Sequence, residues 1–544
     1  MSVTDNGQDP SWRRLSARML LVHPVRELGR YIPALAGLVV AGRQVGDGEW
    51  WWVGPLGVIG VIVLSVLRWV TTRYRITPEQ VQLRTGLVQR RAIATPADRI
   101  RSVDVTASVL HRLLGLAKVD IGTGSHEMYA GLSLDSLPAA EAAALRAELL
   151  HRSAAVSLAV SGAGAALEAS AEPVVLATID TELARLDPRW VRFAPFTMSG
   201  VLGAVAILGV GWNVFDQLGI TLTDERMVRG AFDQVQQIPI WLDVLAGSVA
   251  FIAFVTVISV GGYVLSYWGF RLSRHAQGSL HITRGLLTTR ATSIEERRLR
   301  GVELGEPLLL RAVHAARLSG ITTGLKSMAA AGGSSMLLPP APLTVAWHVA
   351  AQILGDSAPL EASLTPHGPA ARRRRFVRAL LSAFLVVVAA GVAISFGAPQ
   401  WLAVPALVTI PVAALLARDR YRSLGHAIAG SCLVTRAGSL GRRRDVLECD
   451  GIIGWNLAQT FFQRRAGLAT LIATTAAGRQ SYVVADVPLP MALALADRAL
   501  PGLLSDFLEP TNLGSVPVPN RQTSGVCPFP TDNPRERARP NRQT

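Results

Sequence analysis

The chain has 544 residues, half of them hydrophobic, and a formal net charge of +15. With a positive mean hydropathy, that hydrophobic share is high for a soluble protein of this length and points to a membrane protein, so the basic excess need not signal nucleic acid. Three cysteines, Cys432, Cys449 and Cys527, lack metal-ligand spacing; a Cys432–Cys449 disulfide stays open, although a cytosolic setting would keep both reduced.

Residues 1–27 form a basic segment carrying Arg13, Arg14, Arg18 and Arg26. No short apolar core with a small-residue cleavage site follows, so no secretory signal is expected. The first apolar pair covers 28–46 and 51–69. Its first member is cleanly apolar only from Tyr31 to Gly42, and spans if Arg30 and Arg43 reach opposite interfaces. A soluble-looking segment occupies 71–152. A linker at 153–192 opens with an Ala-, Ser- and Gly-rich stretch, 153–173. The second pair covers 193–215 and 240–268, and Val249 to Trp268 holds no charge. Residues 269–355 are again soluble in character, and 356–375 form a basic linker punctuated by Pro359, Pro366 and Pro369. The third pair covers 376–397 and 399–416. Residues 417–508 make the last soluble segment, and the Pro-, Asn- and Arg-rich tail at 509–544 cannot bury enough surface to fold alone.

Arginines crowd the outer flanks of each pair. Arg68, Arg73 and Arg75 follow the first, Arg189, Arg192, Arg271 and Arg274 bracket the second, and Arg372–Arg375 with Arg418, Arg420 and Arg422 bracket the third. The loops inside the pairs are neutral or acidic. Because Lys and Arg favour cytoplasmic flanks, the termini and all three large segments are expected in the cytosol of a multi-pass inner-membrane protein.

The soluble segments repeat one pattern. The first copy runs Tyr74-Arg75-Ile76-Thr77, Val81, Leu83, Gly86-Leu87, Arg90-Arg91, Arg99-Ile100-Arg101-Ser102-Val103 and Leu110-His111-Arg112-Leu113-Leu114-Gly115-Leu116. A second copy, shifted by about 199, aligns Leu280, Ile282, Gly285-Leu286 and Arg298-Leu299-Arg300, and a third, shifted by about 352, aligns Leu433, Gly438, Arg442-Arg443, Phe462-Gln463-Arg464 and Gly467-Leu468-Ala469. Apolar residues alternate as in half-buried strands, Gly86, Gly285 and Gly438 mark hairpin turns, and a Pro-led helix closes each copy: Leu137 to His151, Pro340 to Leu354 and Leu489 to Leu500.

These motifs resemble the bacterial pleckstrin-homology-like (PH-like) family of the YdbS-like type, in its long membrane form. The resemblance covers roughly residues 20–508. It is strongest in the first copy; the second lacks the Leu-Leu-Gly-Leu run after Arg311, and the third has Gly451-Ile452-Ile453 in place of Arg-Ile-Arg. It implies a strongly bent seven-stranded sheet capped by a C-terminal helix, with membrane helix pairs directly before such domains. The expected fold class is therefore membrane α plus β: six transmembrane helices in three pairs, each followed by a cytosolic PH-like antiparallel β domain.

No catalytic or metal-binding pattern stands out, and no cofactor is expected. The ten histidines are scattered, and Gly122-Thr123-Gly124-Ser125-His126 lacks the Gly-Lys-Ser/Thr ending of a phosphate loop. The middles of the spans hold no ionisable residue, which disfavours a transporter. Gly200, Gly203, Gly209 and Gly211 suit close helix packing instead. The remaining signal is basic: Arg90, Arg91, Arg99, Arg101, Arg372, Arg373, Arg374, Arg375, Arg442, Arg443 and Arg444 are candidate contacts for anionic lipid headgroups or a protein partner. Their competing role is topology and solubility. Nucleic acid is not an expected partner, because aromatics are few in these segments. The expected function is a non-catalytic scaffold or interaction module at the inner leaflet, with a membrane or cytosolic protein or a homo-oligomer as partner; the alternative is an accessory of a transport or export system.

Overall fold

A computed structural model describes residues 12–20, 22, 80–86, 91–96, 100, 102–122, 132–146, 181–217, 239–275, 278–323 and 335–503, with parts of 59–77. The expected span 28–46 and the tail 509–544 lie outside these residues; 51–69 lies mostly outside them. The chain divides into two compact units, Met1–Arg300 with Leu304–Ala350 and Ala477–Arg479, and Gly301–Glu303 with Ala351–Ala476 and Gln480–Thr544.

In the first unit, strands β1 (Arg13–Arg14), β2 (Arg73–Ile76), β3 (Gln80–Thr85) and β4 (Arg91–Pro96) form one antiparallel sheet. The basic N-terminal segment is thus part of the fold. Leu15 and Met19 are buried with Tyr74, Val81, Val103, Val119, Ile121, Leu132 and Leu134 in one apolar core, and the Trp69 indole N–H donates to Leu15 O at 2.9 Å. Strand β5 (Ser102–Ala107), short helix α1 (Val109–Leu113), β6 (Leu116–Gly122), β7 (Leu132–Pro138) and a helix over 139–146 (α2) follow.

The end of the expected linker is also ordered. Residues 181–185 form β8 (Thr181–Arg185), which pairs antiparallel with β9 (Arg271–His275), and Pro188–Phe196 form a 3-10 helix capped by Asp187. Helices α3 (Met198–Gln217) and α4 (Ile240–Tyr267) come next. The Tyr263 hydroxyl donates to Pro340 O at 2.9 Å, tying α4 to the β structure beyond it. That structure comprises β9, β10 (Ser279–Arg284), β11 (Thr289–Glu295), β12 (Leu299–Pro307), α5 (Leu308–Ala312), β13 (Ala315–Thr322), β14 (Met336–Pro342) and α6 (Leu343–Leu354).

The second unit opens with α7 (Ala358–Glu361), where Pro359 and Leu360 are buried. The expected basic linker is therefore packed structure, and α8 (Gly368–Ser395) already contains Arg372–Arg375. Helix α9 (Ala403–Arg422) completes a hairpin. Strands β15 (Gly425–Ala429), β16 (Cys432–Ala437) and β17 (Gly441–Glu448) form one meander; β18 (Gly454–Ala458), β19 (Leu468–Thr474) and β20 (Ser481–Pro488) form another. Helix α10 (Phe461–Arg465) precedes β19 and α11 (Leu489–Ala499) follows β20. Cys432 and Cys449 are both buried and no disulfide joins them.

Among the described residues three helical segments are long and apolar enough to cross a bilayer: Val244–Tyr267, Gly368–Ser395 and Gln400–Arg422. A bent pair, Pro188–Phe196 with Ser199–Gly209, is a fourth candidate. The strand pattern itself recurs three times in register. Gln80 faces Pro96, Ser279 faces Glu295 and Cys432 faces Glu448, while Thr85 faces Arg91, Arg284 faces Arg290 and Ala437 faces Arg443. The turn glycines Gly86, Gly285 and Gly438 have φ of 108°, 106° and 102°, and a Cβ on Gly285 would run into Thr288 O. The second copy keeps this geometry where its sequence diverges. His314 adopts φ 54° at the place of Gly115 (φ 67°) and Gly467 (φ 65°).

Candidate functional site

The basic residues around the third helix pair separate into two sets. Consecutive residues of an α-helix point about 100° apart, so a run of four arginines cannot share one face. Arg374 and Arg375 turn inward. Both pair with Asp486, Arg375 Nη2 lying 2.6 Å from Oδ2. Asp486 is 1% exposed and sits at φ 57° near the end of β20. Gln463 Nε2 donates to Asp486 Oδ1 at 2.9 Å. The two arginines thus fix the base of α8 to its β structure.

Arg372 and Arg373 stay exposed. Arg372 lies one turn before Phe376, its guanidinium 5.8 Å from the ring centroid. On α9, Pro411, Ala414, Leu415, Arg418, Tyr421 and Arg422 recur at the three- and four-residue spacing of one helix face. Together with Arg372 and Phe376 they line an open groove of about 650 Å³. Its apolar floor lies toward the middle of the hairpin. Arg372, Arg418 and Arg422 rim its basic end, with no carboxylate paired to them among the described residues. By sequence Arg418 and Arg422 stand only as the topogenic flank of the third pair, not as candidate contacts, and Tyr421 is not singled out; the signal that groups them is their helical phase against Pro411 and Leu415.

The other expected contacts are distributed differently. Arg444 is 8% exposed and donates to Pro359 O and Ala362 O, both at 3.1 Å, so it holds α7 rather than facing solvent. Arg443 Nε stands 3.5 Å from a carboxylate oxygen of Glu303, and Arg442 is also engaged. Arg90, Arg99 and Arg101 lie outside the described residues, and Arg91 is placed only through its backbone in β4.

Buried titratable groups elsewhere are closed by internal partners. His111 Nε2 approaches Asp135 Oδ1 at 3.3 Å, and Ser108 Oγ lies 2.6 Å from His111 Nδ1. Arg146 Nε donates to Ser293 Oγ at 2.9 Å, and its Nη2 lies 2.8 Å from His281 Nδ1. Burial, with Arg146 nearby, pushes His281 down to about 3, so this imidazole is neutral and accepts from the guanidinium.

Residues 24–153 and 376–501 match the bacterial PH domain family; both matches include long apolar stretches as well as strands. The chain is 23% identical over 433 residues to the UPF0699 transmembrane protein YdbT of Bacillus subtilis (strain 168), covering 76% of this chain and 82% of that protein. No solved structure matches.

Proposed function

We propose that this membrane protein, whose residues 24–153 and 376–501 match the bacterial PH domain family, is a non-catalytic interaction module that holds anionic lipid headgroups beside its third helix pair. The full architecture is six spans in three pairs and three PH-like units, with both termini cytosolic. The shared strand register at offsets of 199 and 352, seen in Gln80, Ser279 and Cys432, supports counting the second copy as a PH-like unit. The basic flanks of the hairpins support the orientation.

The observation that carries the reading is the groove between α8 and α9. Three arginines without carboxylate partners among the described residues sit at its rim, and Phe376, Pro411, Ala414 and Leu415 line it below. A phosphate on the arginines with acyl carbons along the apolar floor satisfies both halves. Anionic lipid gains about 1 kcal/mol per basic residue near the surface, so the three arginines together give a preference of about a hundredfold over zwitterionic lipid. Native mass spectrometry of the full chain from mixed phosphatidylglycerol and phosphatidylcholine nanodiscs tests this. Phosphatidylglycerol is expected to stay bound, and the retained lipid is expected to vanish in the Arg372→Ala, Arg418→Ala, Arg422→Ala triple variant. Equal retention of both lipids, or a triple variant that binds normally, overturns it.

A further inference from the structure

We propose that strand β18 of one copy of this chain pairs antiparallel with strand β4 of a second copy, Leu457 opposite Ala92, so that the protein assembles head to tail in the membrane. The template is a junction inside the first unit. Strand β5, from the second meander of the first copy of the repeat, pairs antiparallel with β11, from the first meander of the second copy. Val103 faces Ser293, Asp104 faces Thr292, Val105 faces Ala291, Thr106 faces Arg290 and Ala107 faces Thr289. Arg290 Nη2 reaches Asp104 Oδ2 at 3.0 Å, and Arg112 Nη1 donates to Leu286 O at 2.8 Å across the same junction.

Each partner has an equivalent left over. The register identifies β4 as the first-copy counterpart of β11, because Thr85 faces Arg91 as Arg284 faces Arg290. Strand β18 is the third-copy counterpart of β5: Asp104 faces Asp120 on β6 as Asn456 faces Ile472 on β19. Both β4 and β18 are terminal strands of their sheets among the described residues. Ala92, Ala94, Asn456, Leu457 and Ala458 are exposed, as is Ile453 just before β18, at 68%. Unpaired edges of this kind are templates for strand addition.

The occupant follows from the repeat. Among the described residues β18 has no strand of the β11 type beside it, and this chain itself presents one, β4. Carrying the β5–β11 register over places Trp455 opposite Ala94, Asn456 opposite Ile93 and Leu457 opposite Ala92. The position of Arg290 in β11 is again arginine in β4, Arg91, and the position of Asp104 is the polar Asn456. Such a junction joins two different edges, so it propagates as a line or closes as a ring. Insertion into one membrane gives all copies a common orientation and a high local concentration, which a contact of a few residue pairs needs.

The test uses the full chain in native membranes, with Cys432, Cys449 and Cys527 replaced by Ala. One tagged copy carries Leu457→Cys and a differently tagged copy carries Ala92→Cys. Directly opposite Cβ atoms in an antiparallel pair lie about 5 Å apart, within reach of a disulfide after small adjustment. Mild oxidation is expected to give a covalent heterodimer. Asn456→Cys with Ala92→Cys, which puts the thiols on opposite faces, is expected to give at least fivefold less. The proposal is overturned if folded variants give no heterodimer, if a chain bearing both cysteines crosslinks only within itself, or if the thiols capture only another protein. Should the variants fail to fold, mass photometry of the unsubstituted chain in native nanodiscs decides: dimers and larger species support the proposal, and monomers at every loading overturn it.

Discussion

His367 Nε2 and His426 Nδ1 lie 3.0 Å apart, between rings that are 1% and 5% exposed. His367 Nδ1 is 2.9 Å from Ala485 O. A carbonyl can only accept, so His367 carries its proton on Nδ1 and offers a bare lone pair on Nε2. His426 therefore donates through Nδ1, and both rings are neutral. Thr365 N donates to His426 O at 2.8 Å, so the pair pins the strap before α8 onto β15 and β20.

Acid should loosen this strap. Burial pushes both imidazoles down to about 4, with Arg375 acting in the same sense on His367 and Arg498 on His426. The unfolded chain binds protons near 6.5 while the folded pair refuses them until about 4. Stability is thus fully present above pH 6.5 and falls as pH drops toward 4, by about 1.4 kcal/mol per pH unit for each imidazole at most. Hydrogen exchange of peptides spanning Thr365 and Ala427, followed from pH 7.5 to 4.5 after correction for the intrinsic rate, is expected to show that loss. His426→Asn, which keeps a donor but no titrating ring, should reduce the slope by about half; an unchanged slope would place the titration elsewhere.

Asp486 is the second fixed point of the same unit. Its carboxylate, 1% exposed, is shared by Arg374, Arg375 and Gln463. Removing one partner of a buried pair leaves the other charge uncompensated, at a cost of about 3–5 kcal/mol. Asp486→Asn is expected to lower the melting temperature of the full chain by several degrees, whereas Arg372→Ala, on the exposed face, should stay within about 0.5 kcal/mol of the parent. Equal effects of the two substitutions would contradict this division of the arginine run.

Much of the fold is legible because periodicity and turn chemistry are local. Val81 and Leu83 alternate with polar neighbours and are buried, and Gly86, Gly285 and Gly438 mark the hairpins that the structure contains. What is not legible is long-range. Nothing near Arg374 announces that Asp486, more than a hundred residues later, draws it inward and leaves Arg372 at a groove. Residues 181–185 read as linker because a short strand with charged residues on one face takes its stability from β9, not from its own pattern. Arg13 likewise reads as part of a topogenic flank, yet it meets Glu141 at 3.0 Å, and Leu15 two residues on enters the core.

His314 stores strain that its counterparts avoid. It is exposed and holds φ 54°, where the other copies place Gly115 and Gly467. A side chain in the left-handed region costs about 1 kcal/mol or somewhat more. His314→Gly is therefore expected to raise stability by about 1 kcal/mol, and Gly467→Ala to lower it by a similar amount. Chemical denaturation of the two variants beside the parent checks both signs.

The glycines of α3 separate packing from mere composition. A Cβ on Gly200 would collide with the Ser259 hydroxyl and crowd Ser259 Cβ and Cα of α4, whereas one on Gly209 would meet nothing within 4 Å. Lipid offers little hydrophobic drive between helices, so close backbone approach is a main source of their association. Gly200→Val should therefore push α3 from α4, and overpacking of this kind costs about 1–3 kcal/mol. Gly209→Ala should be neutral or slightly stabilising, since alanine is the better helix former. Thermal unfolding of detergent-solubilised variants is expected to fall for position 200 alone. If both glycines tolerate substitution equally, the α3–α4 contact is not held by Gly200.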